Sequence, residues 1–239
     1  ALLDLSNDPY PQSALEIVAG ATWIWNSTSA VVSGDSIALV HGSDATLYWV
    51  SGEWSSSGQL VIASTAECVW ASGAVLGGSG MVVMDLNTVL RFSDLAGSSG
   101  TRTLDADLII QESAHWEWES GSLHIGAGCG EILIETSAEF IIYTDGLVTM
   151  TREAVTSAVL HVTDALLHVT ATAPGAGDVV TVFIPLLLDN SAGELRVSNG
   201  ATLILAGGIS VQSSLVTVSD GCSLYLSGTD VFRFYIATV

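Results

Sequence analysis

Short apolar runs, separated by Gly or polar turns, recur along almost the whole chain. In most of them, as in Gly193–Val197, apolar and polar residues alternate. A period of two places successive side chains on opposite faces, which is typical of a strand with one face buried. Gly and Asn-Gly between the runs favour turns because they tolerate positive φ. The pattern therefore predicts many strands of about 3 to 6 residues.

The runs return with an irregular period. Eight of them end at Trp49, Trp70, Phe92, Trp118, Ile142, Val169, Leu205 and Leu226. The intervals between these residues are 21, 22, 26, 24, 27, 36 and 21. Strands this short cannot bury a face alone, but stacked coils that pair like strand with like strand share one core. The fold class predicted is all-β, a parallel β-helix (β-solenoid) with irregular coils of about 21–27 residues.

A single solenoid domain over residues 1–239 is expected. Because no initiator Met or basic signal region opens the chain, we expect it to be a segment of a longer one. Three strand-turn-strand phrases, beginning at Ser57, Gly121 and Gly193, are interpreted as copies of one unit. Residues 170–192 fall in the 36-residue interval and are predicted to form an irregular coil or an insertion.

Two other architectures are less favoured. A β-sandwich or jelly roll usually has longer strands and hairpin turns without so regular a repeat. The best helical candidate is Arg152–Leu160, but its β-branched residues favour a strand.

The composition excludes several functions. The chain has 25 acidic residues, five arginines, no lysine and a formal net charge of −20. A cationic surface for nucleic acid and the lysine of a P-loop are therefore missing. No apolar run reaches the 18 residues that suggest a membrane-spanning helix. Three distant cysteines without a CxxC pair argue against a disulfide framework and a structural zinc site.

The most suggestive cluster is His115 to Glu119. On a strand, His115, Glu117 and Glu119 share one face, and Trp116 and Trp118 share the other. Such a face could hold a divalent cation or supply an acid and a base. A plain solvated face is the favoured alternative, because a metal site normally needs ligands from neighbouring strands as well.

A second carboxylate pair, Asp105 and Asp107, also shares one side of a strand, and Arg102 is close to it in sequence. Paired acids with an Arg would suit a polysaccharide hydrolase or lyase. Ordinary solvating acids are favoured, because a net charge of −20 repels a polyanionic substrate. His161 and His168, with Asp164 between them, could be aligned by stacked coils, although lone surface histidines are the simpler interpretation.

The remaining candidates are weaker. The Gly-rich stretch 126–130 is interpreted as a turn. The seven tryptophans favour a ladder along the solenoid, while exposed indoles, with Trp116 and Trp118 as the candidates, could stack on sugars. Asn26-Ser27-Thr28 is a glycosylation sequon, with Asn26 as the candidate acceptor. Acidic turns could bind calcium but lack the nonapeptide that makes such turns specific, so no cofactor is predicted. These turns contain Asp35, Asp44, Asp145, Asp178, Asp189 and Asp220.

The phrase from Gly193 to Gly208 resembles the repeats of right-handed parallel β-helices in adhesins and autotransporter passengers. Residues 51–54 and 116–121 are similar to phrases in large surface proteins of bacteria and protists with pectin-lyase-like folds. The resemblance implies a non-catalytic extracellular structural or adhesive rod at the cell surface, in a coat, adhesin or filament. Its expected partners are other copies or neighbouring repeats stacked end to end, and glycans. The alternatives are a carbohydrate-active β-helix enzyme and a sugar- or calcium-binding module.

Overall fold

The computed structural model describes residues 3–4, 15–33, 38–55, 57–63, 65–71, 73–93, 100–111, 113–135, 137–144, 147–154, 156–172, 178–190, 192–227 and 232–235. These ranges contain strands and turns and no helix, so the prediction of an all-β chain is confirmed. None of these ranges supplies a helix that is long and apolar enough to cross a membrane.

Twenty-five strands follow one another along the chain. They are β1 (Leu3–Asp4), β2 (Leu15–Ile17), β3 (Thr22–Ser33), β4 (Ala38–His41), β5 (Thr46–Ser55), β6 (Gln59–Ala63), β7 (Glu67–Trp70), β8 (Ala74–Met84), β9 (Val89–Phe92), β10 (Thr101–Ile110), β11 (His115–Trp118), β12 (Ser122–Ile125), β13 (Glu131–Glu135), β14 (Glu139–Thr144), β15 (Leu147–Arg152), β16 (Val159–Thr163), β17 (Leu166–Ala171), β18 (Val179–Val182), β19 (Leu186–Asp189), β20 (Glu194–Ser198), β21 (Thr202–Leu205), β22 (Ile209–Gln212), β23 (Leu215–Val218), β24 (Ser223–Leu226) and β25 (Phe232–Tyr235).

The strands stack in parallel on three sides of a β-solenoid, which confirms the predicted fold. Sheet A contains β2, β4, β6, the second half of β8 and of β10, β13, β16, β19, β22 and β25. Sheet B contains the first part of β3 and of β5, then β7, β9, β11, β14, β17, β20 and β23. Sheet C contains β1, the end of β3 and of β5, the first half of β8 and of β10, β12, β15, β18, β21 and β24.

The register of sheet B confirms the first five predicted intervals. Trp49 pairs with Trp70, Trp70 with Phe92, and Phe92 with Trp118. Trp118 then pairs with Ile142, and Ile142 with Val169. In each pair the stacked residues have the same role on successive coils, as the repeat predicted.

The interval of 36 residues between Val169 and Leu205 is not the length of a coil, so this part of the predicted series is wrong. Val169 pairs with Val197, which is 197 − 169 = 28 residues later. Leu205 and Leu226 pair with each other in sheet C, so the predicted series changes from one sheet to another at that point. The three phrases interpreted as copies of one unit likewise lie at three different corners: sheets A to B, C to A, and B to C.

Most of the predicted irregular segment, residues 170–192, follows the regular pattern. Within it, β18 pairs in register with β15 and β21, and β19 pairs with β16 and β22. Residues 178–190 are therefore part of an ordinary coil, and residues 173–177 lie outside the described residues. The helical candidate Arg152–Leu160 contains the end of β15 and the start of β16, and its described residues form no helix.

The core is the inside of the column. In β10 and β14, buried and partly exposed residues alternate along the strand, so every second side chain enters the interior. Leu, Ile and Val fill most of this space, and large aromatic side chains fill the part behind sheet B. The alternating pattern leaves one outward face on each sheet, and these faces carry the candidate functional residues.

Candidate functional site

The largest charged cluster lies on the outer face of sheet B around Arg91. Arg91 Nε donates to Glu117 Oε2 at 2.9 Å and lies 3.3 Å from Glu119 Oε1. Its Nη1 donates to Glu67 Oε1 at 2.5 Å, so the guanidinium joins carboxylates of the preceding and the following coil. Burial alone would lower the pKa of Arg91, but the hydrogen bond to Glu117 and the surrounding carboxylates raise it. Arg91 was not singled out from the sequence, because its partners are 24 and 26 residues away.

The predicted cluster of His115, Glu117 and Glu119 is therefore divided between two partners. The two carboxylates contact Arg91, while His115 Nδ1 lies 3.4 Å from Glu139 Oε2 on the next coil. Burial, followed by the charges of Glu117 and Glu119, raises the pKa of the nearby Tyr143. Within the described residues, no three His, Cys, Asp or Glu side chains are grouped to hold a metal ion. The arrangement neutralises Arg91 and ties coils together.

A second set of contacts joins three coils on the outer face of sheet A. His161 Nδ1 lies 2.8 Å from Glu131 Oε1, and its Nε2 lies 3.0 Å from Asp189 Oδ2. Burial alone would lower the pKa of His161, but the hydrogen bonds to Glu131 and Asp189 raise it above its ordinary value. His168 lies on β17 in sheet B, so stacked coils do not align it with His161, and this alternative is excluded.

The carboxylates of Asp105 and Asp107 support the Gly-rich turn of the next coil. Gly128 N donates to Asp105 Oδ1, and Gly130 N donates to Asp107 Oδ1 at 2.7 Å. Glu131 N also donates to Asp107 Oδ1, at 3.0 Å. Residues 126–130 are a turn, as expected, and their amides bind the protein's own carboxylates. Both acids thus have a structural role.

Arg102 is not available to that acid pair, because it points into the core and is 0% exposed. Its Nε donates to Trp70 O at 2.6 Å, and its Nη1 donates to Ser120 O at 2.8 Å. The guanidinium carbon lies 5.0 Å from the centre of the Phe92 ring, in a cation–π arrangement. The sequence contained a sign that Arg102 faces the core. In a strand, alternate residues share a face, so Arg102 lies on the same face as the buried Leu104 and Leu108.

The predicted tryptophan ladder is present inside sheet B. Trp49 stacks on Trp70 with ring centres 5.6 Å apart, and Trp116 stacks on Phe140 at 3.8 Å. The side chains of Trp116 and Trp118 are both 0% exposed. This burial corrects the tentative sugar-stacking assignment, because an indole enclosed between coils presents no face to a glycan.

The other predicted positions are spread over the surface. Asn26 is exposed on β3, and its Oδ1 accepts a hydrogen bond from Ser51 Oγ at 3.1 Å. Of the acidic turns, Asp189 contacts His161, Asp44 has a positive φ of 61°, and Asp35 and Asp145 lie outside the described residues.

The three cysteines are free, and Cys68 and Cys129 are buried. Burial, with neighbouring carboxylates, raises the pKa of each of these two thiols to about 12. A thiol at such a pKa is protonated at neutral pH and is neither a good nucleophile nor a good metal ligand. These two side chains therefore act as core residues.

Comparisons of the chain with protein-family models, curated proteins and solved structures found no match. The parallel β-solenoid is thus established by the structure itself, and no family match supports the resemblance to adhesins or to pectin-lyase-like proteins.

Proposed function

We propose that this chain is a non-catalytic structural β-solenoid, a stiff rod that forms part of an extracellular coat, adhesin or filament. The observation that carries the proposal is the use of outward charged groups as ties between coils. Arg91 and His161 each join three coils, and Asp105 and Asp107 hold the following turn. Side chains committed to such contacts stiffen a column and are poorly placed for catalysis.

The last described coil supports end-to-end association. Val218 and Leu226 face the interior, as do their stacking partners Val197 and Leu205. The two partners are fully buried, whereas Val218 is 42% exposed and Leu226 is 39% exposed. In the described part of the chain, β23, β24 and β25 pair on one side only. Open strand edges above an apolar interior favour stacking on another coil, and we assign that coil to a second copy or a neighbouring repeat.

Light scattering over a range of protein concentrations, combined with electron microscopy, tests this proposal. We expect the mass to rise with concentration and the rods to lengthen by whole molecules. Replacing Val218 and Leu226 with Asp should keep the protein monomeric, because charge at the open core opposes stacking. A matched control, Thr103→Asp with Thr181→Asp, adds the same charge to the outer face of sheet C and should still associate. A wild-type monomer at every concentration would contradict end-to-end association.

The extracellular setting is tested at Asn26. Its exposed side chain is accessible to a glycosyltransferase, which supports use of the sequon. On expression through a eukaryotic secretory pathway, we expect a mass increase that an endoglycosidase removes and that Asn26→Gln abolishes. Secreted protein without that increase would remove this support for the setting.

The enzyme alternative depends on the Arg91 cluster, which gathers acids from several coils beside an Arg. If it were an active site, Glu117→Gln would abolish the release of reducing or unsaturated ends from a neutral or acidic polysaccharide. We expect no release by the wild-type protein, since Arg91 holds the carboxylates of Glu67 and Glu117 in hydrogen bonds. Release that depends on Glu117 would favour the enzyme.

A further inference from the structure

An uninterrupted aliphatic stripe runs along the outer face of sheet A. It consists of Leu39, Val61, Val83, Ile109 and Leu133, one residue from each of five successive coils. Each pairs in register with the next. All five point away from the core and are partly exposed. With coils about 4.8 Å apart, the stripe is about 19 Å long. We call these five residues the sheet A stripe.

The stripe is not needed for the core, and the other two sheets have no counterpart of the same length among the described side chains. The matching column of sheet B passes through Arg91, Glu117 and Ile141. A column of sheet C passes through Thr103, His124 and Thr151. Polar side chains thus suit the outer face of this fold, so a continuous apolar column on sheet A indicates a contact surface.

Two carboxylates flank the sheet A stripe on each side, all of them at its last three coils. Two residues before its members stand Asp107 and Glu131, and two residues after them stand Asp85 and Glu135. Sheet A carries no arginine among its described side chains, and its described histidines, His41 and His161, each contact carboxylates. Around Val83, Ile109 and Leu133 the surface is therefore an apolar line between two acidic margins.

The acidic margins identify the occupant by charge. Two copies facing each other across this surface would bring carboxylates against carboxylates, in a chain whose formal net charge is already −20. A partner with an apolar centre and Lys or Arg on each side would neutralise the margins and cover the stripe.

The spacing of the coils along the sheet A stripe indicates the shape of its occupant. The turns of an α-helix repeat every 5.4 Å, close to the coil spacing of about 4.8 Å, so its apolar stripe can follow the column for about 13 residues. Basic residues beside that stripe then fall over the flanking carboxylates. We propose that the sheet A stripe binds a cationic amphipathic helix of another protein, lying along the solenoid axis.

Synthetic peptides of leucine and lysine test the proposal. A labelled peptide of about 14 residues, with leucines at helical spacing (i, i+3, i+4, i+7), is titrated with the full chain and followed by fluorescence anisotropy. We expect it to bind more tightly than a peptide of the same composition in which leucine and lysine alternate. A leucine and glutamate peptide with helical spacing should not bind.

Paired variants locate the binding surface. Val83→Thr with Ile109→Thr keeps β-branched side chains and should weaken binding about tenfold, because apolar contact in the middle of the stripe is lost. Ile141→Thr, an outward aliphatic residue on sheet B, should leave the affinity unchanged. Asp85→Asn with Glu135→Gln should weaken binding and reduce its salt dependence, whereas Glu53→Gln on sheet C should not.

Three results would overturn the proposal. One is equal binding by the wild-type protein and the Val83/Ile109 variant, and another is tighter binding of the alternating peptide, which would indicate a strand as the occupant. The third is a wild-type dimer that the Val83/Ile109 variant converts to a monomer, since a second copy would then cover the stripe. Circular dichroism of each variant verifies that the fold is retained.

Discussion

Single residues in this protein are constrained most strongly where one coil contacts the next. Gly128 is an example, because its amide donates to Asp105 Oδ1. It also lies so close to the backbone of Asp105 that a Cβ on Gly128 would meet the carbonyl oxygen of Asp105. Arg102 is another, because its buried guanidinium donates to carbonyl groups of Trp70 and Ser120. At both positions a small change removes contacts that neighbouring coils cannot restore.

Gly128→Ala is expected to lower the free energy of unfolding by about 1–3 kcal/mol. A Cβ at this position would lie 2.4 Å from Asp105 O, a backbone atom held in the strand. Gly130→Ala is the matched control, because its Cβ would meet nothing closer than Asp107 Oδ1 at 3.4 Å. Urea unfolding of the two variants checks this, and equal stabilities would show that the turn can move away from Asp105.

Arg102→Leu is expected to lower the free energy of unfolding by about 2–4 kcal/mol, because buried carbonyl groups lose their donors. Arg196→Met removes a surface arginine that pairs with Glu194 and should cost only about 0–1 kcal/mol. Thermal and urea unfolding measure both changes. A stable Arg102→Leu protein would mean that water or another donor reaches those carbonyls.

Strands are the elements of this fold. Which segments form strands could be predicted better from the sequence than which strands pair with each other. Alternation in segments such as Glu194–Ser198 indicates a strand, and its apolar residues indicate the buried face, without further information. The first five intervals in sheet B were also predictable, because large residues such as Trp70 and Phe92 occupy the same place on successive coils, where their rings pack edge to face. The change of sheet at Leu205 was not predictable, because strand-turn-strand phrases with the same alternation occur at all three corners.

Contacts between elements were harder to predict than the elements. The partners of His161 are 28 and 30 residues away, so they appear only when the register is known. The sequence contained only a weak sign of the sheet A stripe. In runs such as Ile132–Ile134, the position that faces outward lacks the polar residue expected there. Trp116 and Trp118 were correctly placed on one face, but sequence alone did not decide whether that face was inside or outside.

The contacts of His161 make the stacking of three coils depend on pH. Its pKa is raised in the folded protein, above the value of about 6.5 expected when unfolded. The unfolded state therefore loses its proton first, and the stability that His161 contributes at low pH is lost as the pH rises through the folded pKa. We expect the difference in unfolding free energy between the wild-type protein and His161→Gln to decrease from pH 6 to pH 8.

His168 provides a control of opposite sign. Burial, and then the charge of Arg196, lowers the pKa of His168 in the folded protein. Its contribution to stability should therefore increase as the pH rises through the unfolded value of about 6.5. Urea titrations of His168→Gln over the same pH range measure this change. Parallel curves for both variants would contradict the assigned contacts.

The whole molecule carries a large excess of negative charge that no described ion pair removes. At −20, repulsion between carboxylates opposes compaction and is screened by salt. We expect the midpoint of thermal unfolding to rise when NaCl is increased from about 20 to about 200 mM, which shortens the Debye length. Sucrose at matched osmolality controls for general solvent effects. A midpoint that falls would mean that ties such as those of Arg91 outweigh the net repulsion.

Because its strands pair in parallel and in register, the solenoid can lose one whole coil and still join its remaining strands. Ile132 and Leu160 occupy the same place on successive strands of sheet A, 160 − 132 = 28 residues apart. Excising residues 132–159 would join chain ends that follow the same path, and the product would be shorter by one rung of about 4.8 Å. The length of such a protein therefore changes by whole coils. Duplication or loss of one coil in the gene lengthens or shortens the solenoid and keeps the same fold.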